Sequence, residues 1–163
     1  MDDDILATIT ASAPRRVFGV GVLGLLGLML ITVALSKPPS NPAWAVFLLG
    51  LGAGAFWMAY RMWDVTQHRL ELTETQLRST DGTVLAQVSD IQSMDRGMFA
   101  FKPSNGFMLK LNSKTTRRWR PGFWWSLGGR VGVGGVTSAP QTKAMAEIIS
   151  AMIAQRQVDG GAA

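Results

Sequence analysis

The sequence predicts an α-helical membrane hairpin followed by a mainly-β (α+β) module, in which six or seven antiparallel strands form a bent sheet or barrel capped by a C-terminal helix. Three observations lead to this prediction. Residues 17–60 carry a single charged side chain, Lys37, although 17% of the chain is charged. After this stretch, short apolar runs alternate with polar residues and turn signals. From about residue 140 the apolar residues recur at helical spacing.

Residues 1–16 form a leader that begins with three aspartates and ends with Arg15 and Arg16. The first apolar run follows over residues 17–35, and Thr32 is its only polar side chain. A helix of this length spans roughly 28 Å, close to the thickness of the hydrocarbon core of a bilayer. The run is longer than the apolar part of a usual signal peptide, so we expect a retained helix.

A second spanning helix is predicted over residues 43–62. The link between the two runs, residues 37–42, contains three prolines and cannot continue a helix. Trp44 lies at one end of the second run, and Trp57 and Tyr60 lie at the other, as expected for rings at membrane interfaces. Residues 17–62 are therefore expected to cross a membrane twice.

The orientation follows from the basic residues that flank the two runs. Arg15 and Arg16 precede the hairpin, Arg61 and Arg69 follow it, and the link holds only Lys37. The positive-inside rule therefore places both termini in the cytoplasm. We expect a multi-pass protein of the bacterial inner (cytoplasmic) membrane.

Glycines in both runs match known motifs. A G-x-G-x-x-G fingerprint binds dinucleotides only where it joins a strand to a helix, and a membrane run is helical throughout, so we expect no cofactor here. Small residues in membrane helices instead allow close packing. The glycines predicted to pack the hairpin, with docking of another membrane subunit as the alternative, are Gly19, Gly21 and Gly24 in the first run and Gly50 and Gly54, a G-x-x-x-G pair, in the second.

Residues 64–157 are predicted to form the β module. Alternation places Leu70, Leu72 and Leu77 on an inward face, and Asp81-Gly82 indicates a tight hairpin. The same alternation predicts further inward faces at Val84, Ala86 and Val88 and at Phe107, Leu109 and Leu111.

A C-terminal helix is predicted over residues 140–156. Met145, Ile149 and Met152 recur at helical spacing, and Pro140 falls in the first turn, where proline is tolerated. Residues 158–163 are expected to be a disordered tail.

The stretch HRLELTETQLRSTDGTVLAQVSDIQSMDRG, residues 68–97, resembles the opening of the bacterial PH-like domain, and residues 91–94 match an I-x-S-V-like strand of that family. The resemblance covers about residues 64–156. It implies a domain tethered behind two or three N-terminal spanning helices. It also implies a role in binding, oligomerisation or assembly rather than catalysis, since members linked to photosynthetic or respiratory membrane complexes share this plan.

The composition argues against an enzyme. The chain has no cysteine, one histidine (His68) and scattered acidic residues, so neither a metal cluster nor a nucleophile–base pair is indicated. The glycine-rich residues 128–135 lack the Lys-Ser or Lys-Thr of a phosphate-binding loop. We expect no catalytic, cofactor-binding or metal site.

Residues 114–130 combine five basic and four large aromatic side chains with no acidic residue. Such residues anchor protein interfaces and suit the lipid headgroup zone, and a membrane tether argues against nucleic acid. The alternative is that the aromatic rings fill the core. The residues predicted to bind a partner or lipid are Lys114, Arg117, Arg118, Trp119, Arg120, Phe123, Trp124, Trp125 and Arg130.

These features favour a membrane-anchored accessory or assembly factor of an integral membrane complex. The alternative is a module that binds anionic lipid headgroups, since residues 61–163 hold 13 Lys and Arg against eight Asp and Glu, a net charge of +5. A second copy of the chain, in a homo-oligomer, is a further candidate partner. Residues 98–107, with three phenylalanines around a polar turn, are a second candidate surface, and a core hairpin is the alternative for them.

Overall fold

The computed structural model describes residues 4–95 and 104–161, with side chains described for residues 4–95 and 104–159. Within these ranges the chain forms three α-helices and nine β-strands, and a short 3-10 turn over Val88–Asp90 joins the fourth strand to the fifth. The elements are β1 (Ala7–Ile9), α1 (Ala13–Ser36), α2 (Pro42–Val65), β2 (Leu70–Leu72), β3 (Gln76–Ser79), β4 (Val84–Gln87), β5 (Ile91–Asp95), β6 (Phe107–Leu111), β7 (Arg118–Arg120), β8 (Trp124–Leu127), β9 (Arg130–Val133) and α3 (Ala139–Gly161).

The predicted hairpin is present as two 24-residue helices, each a few residues longer than the sequence indicated. A proline lies in the first turn of each, where its missing N–H breaks no helical bond, and the Asn41 side chain caps α2 by accepting from the Ala43 N–H at 2.9 Å. Both helices are long and apolar enough to cross a membrane, and only about a tenth of the apolar window of each is buried.

The two helices meet through Gly27 and Gly52, which the spacing of the sequence does not predict. A Cβ added to Gly52 would lie 2.7 Å from Ile31 Cγ1 and 3.1 Å from the Gly27 carbonyl oxygen, and one added to Gly27 would lie 3.0 Å from the Gly52 oxygen. Ala34 and Ala59 lie seven residues further along and are also buried. The buried small residues of each helix therefore lie two turns apart, on one side of that helix.

This interface corrects the glycine prediction at four of five positions. A Cβ added to Gly19 would lie 2.7 Å from Met62 Cε, so Gly19 does lie between the helices. Added Cβ atoms at Gly21, Gly24, Gly50 and Gly54 meet nothing within 4 Å. Those four glycines lie off the contact between the helices, which runs through Gly19, Gly27 and Gly52 instead.

The strands form two antiparallel sheets, with orders β1-β2-β3-β4 and β5-β6-β9-β8-β7. In the second sheet β9 lies between β6 and β8, so β6 pairs with a strand about twenty residues further along the chain. The described strands therefore outnumber the predicted six or seven, although the arrangement of antiparallel sheets followed by a C-terminal helix agrees with the prediction. The expected disordered tail is wrong for residues 158–161, because α3 continues to Gly161.

The leader is part of the sheet rather than a separate segment. β1 pairs antiparallel with β2, with Ile9 opposite Leu70, and the Ile9 side chain is fully buried. The Ser12 N–H donates to the Val136 carbonyl at 2.7 Å, and the Thr10 N–H and hydroxyl both donate to Gln141 Oε1 at 2.9 Å. The start of α1 is thereby held on the module.

The core lies between the two sheets and α3. The inward predictions for Leu70, Leu72 and Leu77 and for Phe107, Leu109 and Leu111 are confirmed, and Met145 and Ile149 attach α3 to the same core. The prediction for Val84 is wrong: its side chain is exposed and Leu85 is buried instead. A register shift between Leu77 and Arg78 in the β3–β4 pairing explains the change.

Candidate functional site: a basic and aromatic sheet face

The aromatic residues of the predicted segment divide between the two faces of the second sheet. The β7–β8 hairpin pairs Trp119 with Trp125 and Arg120 with Trp124, around a turn at Gly122 with φ of 72°. Because side chains alternate along a strand, Trp124 points into the core, where it is 2% exposed, and Trp125 points out. Phe123 is buried beside Trp124, so the binding prediction is wrong for these two residues, which fill the core.

Two of the predicted arginines hold the sheets together at one corner. The Arg120 guanidinium forms an ion pair of 2.9 Å with Asp81 in the β3–β4 turn, and Arg118 Nη1 donates to the Thr83 hydroxyl at 3.3 Å. Burial alone would raise the pKa of Asp81. Hydrogen bonds from Thr83 and Ser79 and the charge of Arg120 outweigh that effect and lower the pKa below its ordinary value of 3.8. Both arginines thus have structural partners.

The solvent side of the second sheet carries a continuous aromatic row. We name it the outer face and define it by Met108, Lys110, Trp119, Trp125, Leu127 and Arg130. The register places Met108 opposite Gly132, Gly132 opposite Trp125, and Trp125 opposite Trp119. A Cβ at Gly132 would overlap the Trp125 indole, so glycine there lets the ring lie against β9. Trp119 remains 57% exposed.

A basic row lies beside the aromatic one. Lys110 of β6 is directly opposite Arg130 of β9, and Arg130 is opposite Leu127, which is 54% exposed. Within the described part of the chain, neither cation forms an ion pair or a hydrogen bond. These side chains border a groove of about 470 Å³, which the Gly128-Gly129 turn also lines.

Like charges placed opposite each other destabilise an antiparallel pair, by roughly 0.2–1 kcal/mol. The sheet therefore keeps Lys110 and Arg130 together at an energetic penalty that an acidic ligand would remove. Lys110, Met108 and Leu127 were missed in the sequence analysis. The alternation of FMLKL identifies Lys110 as outward-facing, but nothing local in the sequence predicts that β6 pairs with β9.

The remaining predicted residues lie elsewhere. Arg117 is exposed just before β7, and Lys114 is exposed in the segment that connects β6 to β7. Of the second candidate surface, residues 98–103 lie outside the described residues, and Phe107 is buried in the core.

The base of the helical hairpin lies next to the β7–β8 turn. A Cβ on Gly122 would lie 3.2 Å from Met62 Cε near the end of α2, and Arg15 donates to the Thr137 carbonyl at 3.1 Å. The Arg16 guanidinium lies 4.5 Å from the centre of the Trp63 ring, a cation–π contact between the two helices. Basic and aromatic side chains therefore surround the end of the hairpin that carries the module.

Among the described residues, no group of three or more His, Cys, Asp or Glu side chains is placed to hold a metal ion. His68 lies in the turn between α2 and β2, where its backbone N–H donates to the Val65 carbonyl at 3.3 Å. No protein-family model, curated protein or solved structure matches the chain. The resemblance to the bacterial PH-like family therefore stays a prediction.

Proposed function

We propose that this chain is a membrane-anchored, non-catalytic interaction module of the bacterial inner membrane. In this role it serves as an accessory or assembly factor of an integral membrane complex of the respiratory or photosynthetic type, which it contacts through the outer face. The observation that carries the proposal is the pairing of Lys110 with Arg130 beside exposed Trp119 and Leu127. Aromatic residues and arginine are typical anchors of protein interfaces.

The anchoring part rests on α1 and α2. Most of their apolar side chains are exposed, which is unfavourable in water and favourable in lipid. Arg15, Arg16 and Arg61 lie at the end that carries the module, whereas only Lys37 lies at the other end. By the positive-inside rule, this charge distribution supports a cytoplasmic module.

A protein partner is favoured over lipid by the position of the cations. The β7–β8 turn contacts α2 through Gly122 and Met62, while Leu127 lies at the far end of β8, roughly 10 Å along the strand from Trp124. Lys110 and Arg130 lie in the same row as Leu127, and surface charge is screened over about 8 Å at physiological salt. Beyond one screening length the attraction to lipid headgroups is reduced, whereas a partner that projects from the membrane contacts these cations directly.

Cysteine labelling tests the anchoring, because the chain has no native cysteine. Ser40→Cys lies in the link between the helices, and Ser89→Cys lies on the module; both serines are exposed. In intact spheroplasts, a membrane-impermeant maleimide should label the first variant and not the second. Labelling of both variants, or a full chain that is soluble without detergent, would contradict the anchoring.

Photocrosslinking tests the docking surface. A photoreactive phenylalanine at Leu127 should yield one discrete protein adduct in membranes, and the same probe at exposed Val158 on α3 is the matched control. Lys110→Glu should abolish the Leu127 adduct. Because the new carboxylate faces Arg130, the same change should leave the fold intact or stabilise it by about 0.5 kcal/mol. Equal adducts from both probe positions, or adducts to lipid alone, would contradict a protein partner.

A further inference from the structure

Two sheets have four edge strands, and among the described residues α3 packs on two of them. Helix α3 packs on β1 and on β5, and Arg156 donates to the carbonyl oxygens of Val88, Ser89 and Ile91 next to β5. The other two edges, β4 and β7, have one ladder partner each among the described strands. Proteins usually cover or block such edges, because their unpaired peptide groups attract a further strand.

The β4 and β7 edges face each other across a gap that we name the seam, formed by residues 84–87 and 113–118. At one end of the seam, the two sheets are joined by the Arg118–Thr83 hydrogen bond and the Arg120–Asp81 ion pair. At the other end, the Asn112 N–H donates to the Asp90 carbonyl at 2.9 Å. Between the two ends lies a cavity of about 280 Å³ with Leu85, Leu111 and Trp124 among its lining residues.

The backbone of β4 presents peptide groups to this cavity. The Val88 N–H donates to the Thr75 carbonyl at 2.8 Å, so Val88 belongs to a hydrogen-bonded pair with β3. Because residues of an antiparallel strand alternate in the side to which they bond, the N–H of Gln87 points away from β3 and toward the seam, whereas its C=O caps the 3-10 turn over Val88–Asp90. Gln87 is exposed, and four residues of β4 give a bonding edge of about 13 Å.

The charge around the seam favours an acidic occupant. Lys114 and Arg118 line the cavity, and the one carboxylate that lines it, Asp90, already accepts bonds from the Ser113 N–H and hydroxyl. Thr115 also lines it, and its hydroxyl oxygen is buried without a hydrogen-bond partner among the described residues. A ligand that brings carboxylates and backbone hydrogen-bonding groups would satisfy these side chains.

We propose that the seam takes up an extended, acidic segment of a partner protein, which adds to β4 as a further strand. The proposal rests on the proposed function only in taking the partner to be a protein, and it places a second contact away from the outer face. Main-chain hydrogen bonds to β4 would hold the segment. Lys114 would select carboxylate side chains on it.

Gln87→Pro is a sharp test of this proposal. The φ of Gln87 is −80°, within the range that proline adopts, and its N–H is not part of the β3 ladder, so the substitution removes only a donor that faces the seam. Gln87→Ala keeps the N–H and is the matched control. The probe is a fluorescent eight-residue peptide of alternating valine and glutamate, and a valine–lysine peptide of the same length is its counterpart.

Binding is measured on the full chain in nanodiscs. We expect the valine–glutamate peptide to bind more tightly than the valine–lysine peptide, Gln87→Pro to weaken it by about tenfold, and Gln87→Ala to leave it unchanged. Lys114→Glu, which alters no backbone group, should also weaken it, so the proposal stays testable if the proline variant unfolds. Equal affinity of wild type and Lys114→Glu, or no binding to wild type, would overturn the proposal. The Leu127 crosslink tests the outer face separately, so failure of one leaves the other standing.

Discussion

Replacing Ile9 by alanine should destabilise the module strongly, although this residue lies in the leader, outside residues 64–157 to which the sequence assigns the module. Ile9 is 0% exposed and lies opposite Leu70 in the β1–β2 pair. The substitution removes three buried carbon atoms, each worth about 0.8 kcal/mol of transfer free energy. The cavity left between paired strands adds to this, so we expect a loss of about 3 kcal/mol.

The matched control is Ile5→Ala, the same chemical change four residues earlier, at a side chain that is 52% exposed. It should change the free energy of unfolding by less than about 0.5 kcal/mol. Thermal unfolding of the full chain in detergent, followed through its tryptophan fluorescence, to which buried Trp124 contributes, is the assay. At roughly 4–8 °C per kcal/mol for a module of this size, Ile9→Ala should lower the Tm by roughly 12–24 °C. Equal Tm values for the two variants would refute the pairing of β1 with the sheet.

Two further predictions concern the hairpin and the corner of the sheets. Gly52→Leu should separate the helices, because even a Cβ there lies 2.7 Å from Ile31 Cγ1, and it should lower the free energy of unfolding by about 3 kcal/mol. Gly54→Leu is the control: its side chain meets open space and should cost almost nothing in thermal unfolding. Equal losses for the two variants would contradict the interface. Since the folded pKa of Asp81 lies below its ordinary 3.8, its stabilising contribution is present above pH 3.8 and is lost as the pH falls through the folded value. Asp81→Asn should therefore flatten the fall in Tm between pH 4 and pH 2, and an unchanged slope would contradict this assignment.

The parts of the fold that depend on neighbouring residues could be predicted from the sequence. Asp81-Gly82 indicates a hairpin because Gly82 adopts the positive φ of 83° that the turn requires. The spacing of Met145 and Ile149 places one face of α3 on the core. Both features depend on a few consecutive residues, so no distant part of the chain is needed to specify them.

The parts that depend on distant residues could not be predicted. β1 has only three residues, too few for its β-branched Thr8 and Ile9 to predict a strand, and it is defined by its pairing with β2, about sixty residues further along the chain. Gly50 and Gly54 match a packing motif, but Gly52 lies in the interface because the rotation of α2 is set by the whole hairpin. At the site, the alternation of side chains along β8 predicts that Trp124 and Trp125 lie on opposite faces of the sheet. The juxtaposition of Lys110 with Arg130 depends on a pairing between distant strands.

The connection between the helices and the module fixes the position of the outer face relative to the hairpin. Three residues separate β1 from α1, and four residues separate α2 from β2. The strands β1 and β2 pair with each other. Both helices therefore leave from one antiparallel ladder, and the contact of Met62 with Gly122 adds a third point of attachment. A docking surface held in this way loses little orientational entropy when it binds, whereas the same surface on a flexible linker would lose more. The leader strand thus makes the anchor part of the binding geometry.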